Sequence, residues 1–446
     1  MAPLVADSGD TAWLLISSAL VLLMAPALAL FYGGMVRSKS VLNMMMMTFG
    51  ATAVVLVLWT LVGYSLAFGD DLGLGLVGDP LQFAGLSTFL TEPTTGGASY
   101  PAILFVVFQG LFAVITAALI SGAIADRARF TTWLVFVGMW LLIVYAPVAH
   151  WVFDVSTDAP AHTGGWLVNT VGLVDFAGGT AVEVCSGASA LALALVLGRR
   201  IGFGKEPMRP HNLTYVMLGA GLLWFGWFGF NAGSALSAGH NAAVVFAATL
   251  LAGATGIIGW LVVERVRDGH LTSFGAASGL VAGLVAITPS CGAVSPIGAL
   301  AMGAVAGAIC SWAVGLKYRF GYDDSLDVVG VHLVGGIVGT LGIGFLATDL
   351  APSGVSGLFY GGGVGQLGKQ AIGVAAVLVY AFVVSGLLGL ALERTLGFRI
   401  ERDHEVSGID VAVHAETAYE LHSMSAGRAS GHGILASLHT NREDPS

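Results

Sequence analysis

Asp175-Phe-Ala-Gly-Gly-Thr-Ala-Val-Glu183 opens an apolar run that continues to residue 197, and Asp327-Val-Val-Gly-Val-His332 opens another that continues to residue 348. A run of roughly 20 apolar residues is what an α-helix needs to cross a ~30 Å hydrocarbon core. Each of these two starts with an Asp-x-x-Gly pattern and carries a second ionisable group a turn or two deeper. Ionisable side chains inside a membrane helix are expensive, so they face the bundle interior and mark a substrate or proton pathway.

Composition extends this reading to the whole chain. Of 446 residues, 56% are hydrophobic and only 10% charged, and the mean hydropathy is +0.84. Soluble domains carry about 25% charged residues, so the chain is an integral membrane protein. Eleven apolar runs are long enough to span, at about 11–33, 44–68, 102–124, 131–153, 177–197, 213–233, 241–263, 271–289, 295–316, 327–348 and 369–393. Their length excludes a barrel, whose strands are ~10 residues of alternating polarity. The expected fold is an all-α bundle of eleven transmembrane helices. GxxxG spacing at Gly279/Gly283, Gly303/Gly307 and Gly335/Gly339 points to close packing of helix backbones within the bundle. The cysteines Cys185, Cys291 and Cys310 lie in apolar runs without metal-ligand spacing and read as packing residues. No metal ion and no cofactor is expected, and a net charge of −9 argues against a nucleic-acid partner.

The basic residues set the direction. Arg37, Lys39, Arg127, Arg129, Arg199, Arg200, Lys205, Arg209, Arg265, Arg267, Lys317 and Arg319 follow odd-numbered spans. Arg394, Arg399, Arg402, Arg428 and Arg442 follow the eleventh, and only Lys369 lies on the other side. The positive-inside rule then puts the N-terminus outside and the C-terminus in the cytoplasm, with the chain in the plasma membrane. Ala6 to Asp10 lead into the first span without a basic stretch, so no cleaved signal peptide is expected. Asp70, Asp71, Asp79, Glu92, Asp154 and Asp158 fall in outer loops, where they modestly concentrate cations.

Span five runs inward from Asp175 and span ten outward from Asp327. Spans 1–5 and 6–10 therefore read as an inverted 5+5 repeat with span 11 peripheral, which places the pathway near the midplane between the halves. At 1.5 Å per residue, Glu183 lies roughly 12 Å below Asp175, and His332 roughly 7–8 Å above Asp327.

Five ordered motifs resemble those of the ammonium transporters of the Amt/Mep/Rh family. They are Phe31-Tyr-Gly-Gly-Met-Val-Arg37, Phe108-Gln-Gly-Leu-Phe112, Asp175-Phe-Ala-Gly-Gly179, Trp227-Phe-Gly-Phe-Asn-Ala-Gly-Ser234 and Asp327 to His332. The resemblance covers essentially the whole chain. It implies a homotrimer with one pore per subunit that carries ammonium or methylammonium inward. It also implies an outer binding site of Phe112, Ser234 and residue 153, with Phe112 and Phe230 stacked beneath it as a gate and Trp227 walling the vestibule. Most relatives carry Trp at position 153; Phe153 stands here and is the weaker cation–π face, so weaker recruitment of the ion is expected. Asp175 is assigned electrostatic support and helix capping without direct coordination, and Asp327 a structural place at its helix start.

Below the gate the family normally carries two histidines. His332 is the second, while Glu183 occupies the place of the first. Burial favours the neutral form of each and pairing favours the charged forms, so a neutral Glu183 donating to His332 and an ion pair both stay open. Either serves as an acid–base relay. The expected mechanism has ammonium bound outside and deprotonated at or below the gate. Ammonia then crosses an apolar pore and the proton follows through Glu183 and His332, for a net electrogenic transport. A carboxylate at this place can hold a bare cation, which weakens exclusion of potassium. The alternatives are an electroneutral gas channel of Rh type and an ammonium sensor signalling through its tail. An enzyme is not expected, since no nucleophile or metal constellation is present.

The chain divides into a transmembrane domain over 1–396 and a cytoplasmic regulatory tail over 397–446. Gly408-Ile-Asp410 and His414-Ala-Glu-Thr-Ala-Tyr419 resemble the family's tail, which packs on neighbouring subunits and responds to the P-II signal protein, although Ala415 stands where Gly is usual. Beyond Leu421 the polar run reads as disorder, and His422, His432 and His439 are too scattered for a metal site.

Overall fold

The computed structural model describes residues 6–90, 98–157 and 162–419. Disorder beyond Leu421 and the scattered tail histidines therefore lie outside the described residues. The architecture is helical, and among the described residues the only β pairing is a few isolated bridges. Ten helices are long and apolar enough to cross a membrane: α1 (Ser8–Met35), α2 (Val41–Phe68), α3 (Ala102–Ile124), α4 (Phe130–Phe153), α5 (Gly179–Leu197), α6 (Leu213–Gly233), α7 (His240–Asp268), α9 (Pro296–Phe320), α10 (Val329–Leu346) and α11 (Gly365–Thr395). Between α7 and α9 stands α8 (Ser273–Ile287), apolar but only 15 residues long. At 1.5 Å per residue it covers roughly 22 Å, short of a full hydrocarbon core. The run expected over 271–289 is thus shorter than anticipated, because residues 288–293 turn away in tight turns.

Helix boundaries follow local chemistry. Asp7, Asn212, Thr272 and Ser295 each accept a backbone N–H at the start of α1, α6, α8 and α9, satisfying donors that otherwise lack partners. Pro296 opens α9, where its missing N–H costs nothing. The bundle packs α1 along α6 and α5 along both α10 and α11, while α7 lies against α8 and α9. Backbones touch where the glycines allow it: a Cβ on Gly256 would stand 2.7 Å from the Cα of Gly283. The outer surface is apolar instead of charged, with Leu61, Ile258, Val262 and Leu387 exposed, as lipid contact requires.

Opposite the Asp175 end lies a face rich in arginine. Arg200 holds Asp323 through paired contacts at 2.8 and 2.9 Å. Arg127 donates to the Asp323 carbonyl at 2.6 Å and to Ser325 at 2.7 Å. Burial draws the Arg127 guanidinium down to about 10, against the pull of Asp323. The tail docks on this face through α12 (Arg402–Ser407) and the turn after it. Asp410 accepts from the N–H groups of Leu42 and Asn43 at the start of α2, 3.0 and 2.8 Å. Tyr419 pairs with His211 at 2.9 Å. The turn at 415 forms with alanine: Ala415 takes the left-handed conformation, φ 56°, which a glycine adopts without the ~1–2 kcal/mol penalty of a side chain.

Candidate functional site

The site is assembled where α5 and α10 begin, next to the middle of α3 and the C-terminal end of α6. Asp175 stands before α5, and its carboxylate accepts from the N–H groups of Gly178, Gly179 and Thr180 at 2.8, 2.6 and 2.7 Å, from Ala181 at 3.3 Å, and from the Thr180 hydroxyl. Gly178 is left-handed, φ 114°, and this folds the chain back so that the carboxylate meets the helix end. The first turns of α5 (Gly179–Val184) and of α10 (Val329–Leu333) are both π-helical. Such wide turns recur at functional positions, and here they carry Glu183 and His332.

At α10 the geometry differs from the sequence reading. Asp327 does stand at the helix start, but the capping carboxylate is Asp324, which accepts from Val328 and Val329 at 3.1 and 2.7 Å. Asp327 is itself left-handed, φ 64°, and its side chain binds Lys317 at 2.6 Å. The matching register is therefore Asp175/Gly178/Glu183 with Asp324/Asp327/His332, shifted by three residues from the Asp-x-x-Gly alignment. Burial pushes the Asp324 carboxyl up to about 6, with Lys317 opposing and Asp327 adding to the rise. In the sequence Lys317 reads as one more loop cation, and the Asp-x-x-Gly pattern does not point to Asp324. The signal for Asp324 was its spacing, eight residues before His332 as Asp175 is before Glu183.

Phe112 and Phe230 lie face to face, with ring centroids 4.0 Å apart and planes 10° from parallel. Phe153 meets the edge of this stack, 6.3 Å from Phe112 at 90°. On one side of the stack is a cavity of ≈ 350 Å³ lined by Phe153, Asp175, Ser234, Gln109 and Phe176 among others. The Ser234 hydroxyl donates to the Phe230 carbonyl at 2.8 Å, which leaves its oxygen lone pairs available.

On the other side is a narrow cavity of ≈ 10 Å³, room on the order of one water-sized molecule. Its walls are apolar, Leu28, Ile115, Leu119 and Val281 among them, except for Glu183 and His332. These two are buried and joined through His332 Nδ1 and Glu183 Oε2 at 2.7 Å.

Trp227 lines this inner cavity and not the vestibule, which corrects the expectation for it. The helix explains why: Trp227 precedes Phe230 by three residues and Ser234 follows it by four, so the two fall on opposite sides of the stack. Its indole N–H donates to Thr288 at 2.8 Å, and Thr288 and Asn231 continue the contact to Thr249.

The outer mouth also includes a cavity of ≈ 650 Å³ that shares Phe105, Phe153, Val155 and Leu236 with the first and is lined by His162, which the sequence reading does not single out. His162 bridges Asp70 at 2.7 Å and Asp154 at 2.9 Å. The hydrogen bond it donates to Asp154 leads in raising the imidazole to about 9, with Asp70 contributing and burial opposing. No group of three or more potential metal ligands occurs among the described residues.

A stacked aromatic pair separating an open mouth from a narrow apolar cavity, inside a bundle of membrane-length helices, is the anatomy of a membrane transport protein. The profile of the Ammonium Transporter Family matches residues 12–419, and the chain belongs to that family. The ammonium transporter of Mycobacterium tuberculosis is 56% identical over 437 residues, covering 94% of this chain and 91% of its own. That of Bacillus subtilis is 43% identical over 414 residues, 92% of this chain and 98% of its own. Among solved structures, Saccharomyces cerevisiae Mep2 matches with a TM-score of 0.80 at 37% identity, over 89% of this chain and 88% of that one. A sensor Amt protein matches with a TM-score of 0.83 at 29% identity, over 91% and 98%. The family is one of transporters and not of enzymes, and the chain is a multi-pass membrane protein.

Proposed function

We propose that this protein takes ammonium and methylammonium across the plasma membrane by binding the ion outside, deprotonating it, and conducting ammonia and proton separately. The observation that carries this reading is the linked Glu183–His332 pair in an otherwise apolar cavity directly behind the Phe112–Phe230 stack. A cation cannot rest in so narrow an apolar space without a large desolvation cost. A neutral molecule the size of water can. The proton then needs titratable groups, and the cavity offers this one pair.

The ion is held outside by the faces of Phe112 and Phe153 and by the Ser234 oxygen, with cation–π attraction of ~0.5–2 kcal/mol per ring. Asp175 lends negative potential without coordinating, since its oxygens are occupied by backbone N–H groups. Phe112 and Phe230 form the gate, and Glu183 and His332 relay the proton. Net transport is of one positive charge, driven at ~2.3 kcal/mol per 100 mV.

The topology proposed is eleven spans, α8 included, with the N-terminus outside and the arginine-rich face in the cytoplasm. The shared offsets at α5 and α10 and the contact of α1 with α6 support an inverted 5+5 repeat with α11 peripheral. A transmembrane domain over 1–396 and a regulatory tail over 397–446 complete the division. The subunits are proposed to form a homotrimer whose tail answers to a P-II protein.

Current through purified protein in planar bilayers, ammonium against potassium across pH, is the test. Ammonium-driven current that falls at least tenfold in Glu183→Ala supports the relay. Full current with unchanged selectivity in that variant would sink it. Uptake without any current would instead favour an electroneutral channel.

A further inference from the structure

Among the described residues, α11 lends no side chain to the lining of the cavity beside Asp175 or of the narrow cavity behind the stack. It reaches the start of α5 all the same, through one buried amide. Gln370 is fully buried. Its Oε1 accepts from the Val174 N–H at 2.9 Å, and its Nε2 donates to the Val174 carbonyl at 2.7 Å. Nε2 also donates to the Thr340 carbonyl of α10 at 3.3 Å, and Oε1 accepts from Gln366 Nε2 at 2.9 Å. Two donated and two accepted bonds are the full capacity of a primary amide. Gln366, Gln370 and Gly373 fall on one face of α11, and a Cβ on Gly373 would stand 2.6 Å from the Leu173 side chain. The chain ahead of Asp175 therefore lies directly along that face.

We infer that Gln370 is a positioning residue for Asp175, fixing the place of its charge from a helix that contributes nothing to the cavity walls; this rests on the electrostatic role proposed for Asp175. The carboxylate is tied to the N–H groups of α5, which fixes it relative to that helix alone. Its place relative to the cavity depends on the backbone on either side. After Asp175, the Phe176 N–H donates to the Pro289 carbonyl at 3.0 Å. Before it, both backbone groups of Val174 are held by Gln370. Leu173, Val174 and Phe176 line the same cavity as Asp175. Through Thr340 the same amide refers this segment to α10, the helix that carries His332. A fully satisfied buried polar network is rigid and specifies one arrangement. An apolar side chain of similar length would fill the space and leave the segment before Asp175 free to shift. The attraction felt by a cation in the cavity weakens as that charge moves away.

The test measures ammonium-driven currents in proteoliposomes for wild type, Gln370→Met, Leu367→Ala and Asp175→Asn. Leu367 packs where α11 meets Gly344 of α10, so Leu367→Ala loosens α11 while leaving the Gln370 amide in place. Gln370→Met should raise the half-saturating ammonium concentration roughly three- to tenfold, with a smaller change in maximal current. Leu367→Ala should leave half-saturation where it is. Half-saturation in Gln370→Met within about twofold of wild type, alongside a clear shift or loss of current in Asp175→Asn, would overturn the inference while leaving the role of Asp175 intact. An equal shift in Leu367→Ala would also overturn it, since looser packing of α11 would then account for the effect. No change in Asp175→Asn would overturn the electrostatic role and this inference together. Should Gln370→Met not yield assembled protein, Gln370→Asn, whose amide sits closer to the helix and cannot reach Val174 in the same way, decides: unchanged half-saturation rejects the role.

Discussion

The starts of α5 and α10 share a scaffold and differ in charge. In each, an aspartate caps the helix, a left-handed residue follows three positions later, and an ionisable group lining the inner cavity lies eight positions on. At α5 the left-handed residue is Gly178, and no cationic side chain among the described residues pairs with Asp175. At α10 it is Asp327, held by Lys317 at 2.6 Å, with the ammonium group also donating to the Asp324 carbonyl at 3.0 Å. One scaffold thus presents an uncompensated anion at the proposed outer end and a locally compensated one at the inner end. In the proposed mechanism the first attracts the arriving cation, and the second does not retain the departing one.

The largest effect is expected where the two segments meet, eight residues deep. Glu183→Gln keeps a hydrogen-bonding side chain beside His332 but cannot take up a proton, so bilayer current should drop by at least tenfold. Retained current would show that the two helices frame a pore without relaying protons. Next comes the charge difference itself. Lys317→Met leaves Asp327 poorly solvated and unpaired, which should cost about 3 kcal/mol of stability in thermal unfolding. Adding Asp327→Gly gives α10 the arrangement of α5, with a residue suited to φ 64°, and should recover most of the loss. A double variant no more stable than the single one would mean that Lys317 matters for something other than this pair.

A third comparison concerns the mouth. His162 bound to Asp154 and Asp70 is raised to about 9 from an ordinary value of 6.5. The sign follows from a raised basic group: its stabilisation is complete below pH 6.5 and disappears as pH climbs through 9. Unfolding temperature should therefore fall between those limits, and His162→Gln should flatten that slope. An unchanged slope in the variant would assign the dependence elsewhere. The smallest effect is expected at the outer ring. Phe153→Trp, with a stronger cation–π face worth about 0.5–1 kcal/mol, should lower half-saturating ammonium about two- to fivefold. No change would mean that ring 153 does not face the ion.

Much of the fold was legible because membrane helices obey a one-dimensional rule: apolar length against bilayer thickness. Ten of the expected spans appear as long helices. The eighth was overestimated because hydropathy does not distinguish a helix from apolar turns packed inside a bundle, as at Pro289, whose carbonyl binds the N–H of Phe176 at 3.0 Å. Glu183 and His332 stand out in the sequence as ionisable groups inside apolar runs, whereas Phe112 and Phe230 are singled out only by resemblance. Their grouping is a matter of structure.

The sequence by itself determined membrane residence and the residue types at each helix start, since both depend on local composition and spacing. Only the tertiary structure decided that Asp324 and not Asp327 caps α10, that Trp227 sits behind the stack, and that His162 comes between Asp70 and Asp154. The physical reason is common to all three. Which carboxylate reaches a helix end, or which side of a ring a neighbour occupies, depends on backbone conformation and on contacts between helices far apart in the chain. Apolar periodicity carries no record of either.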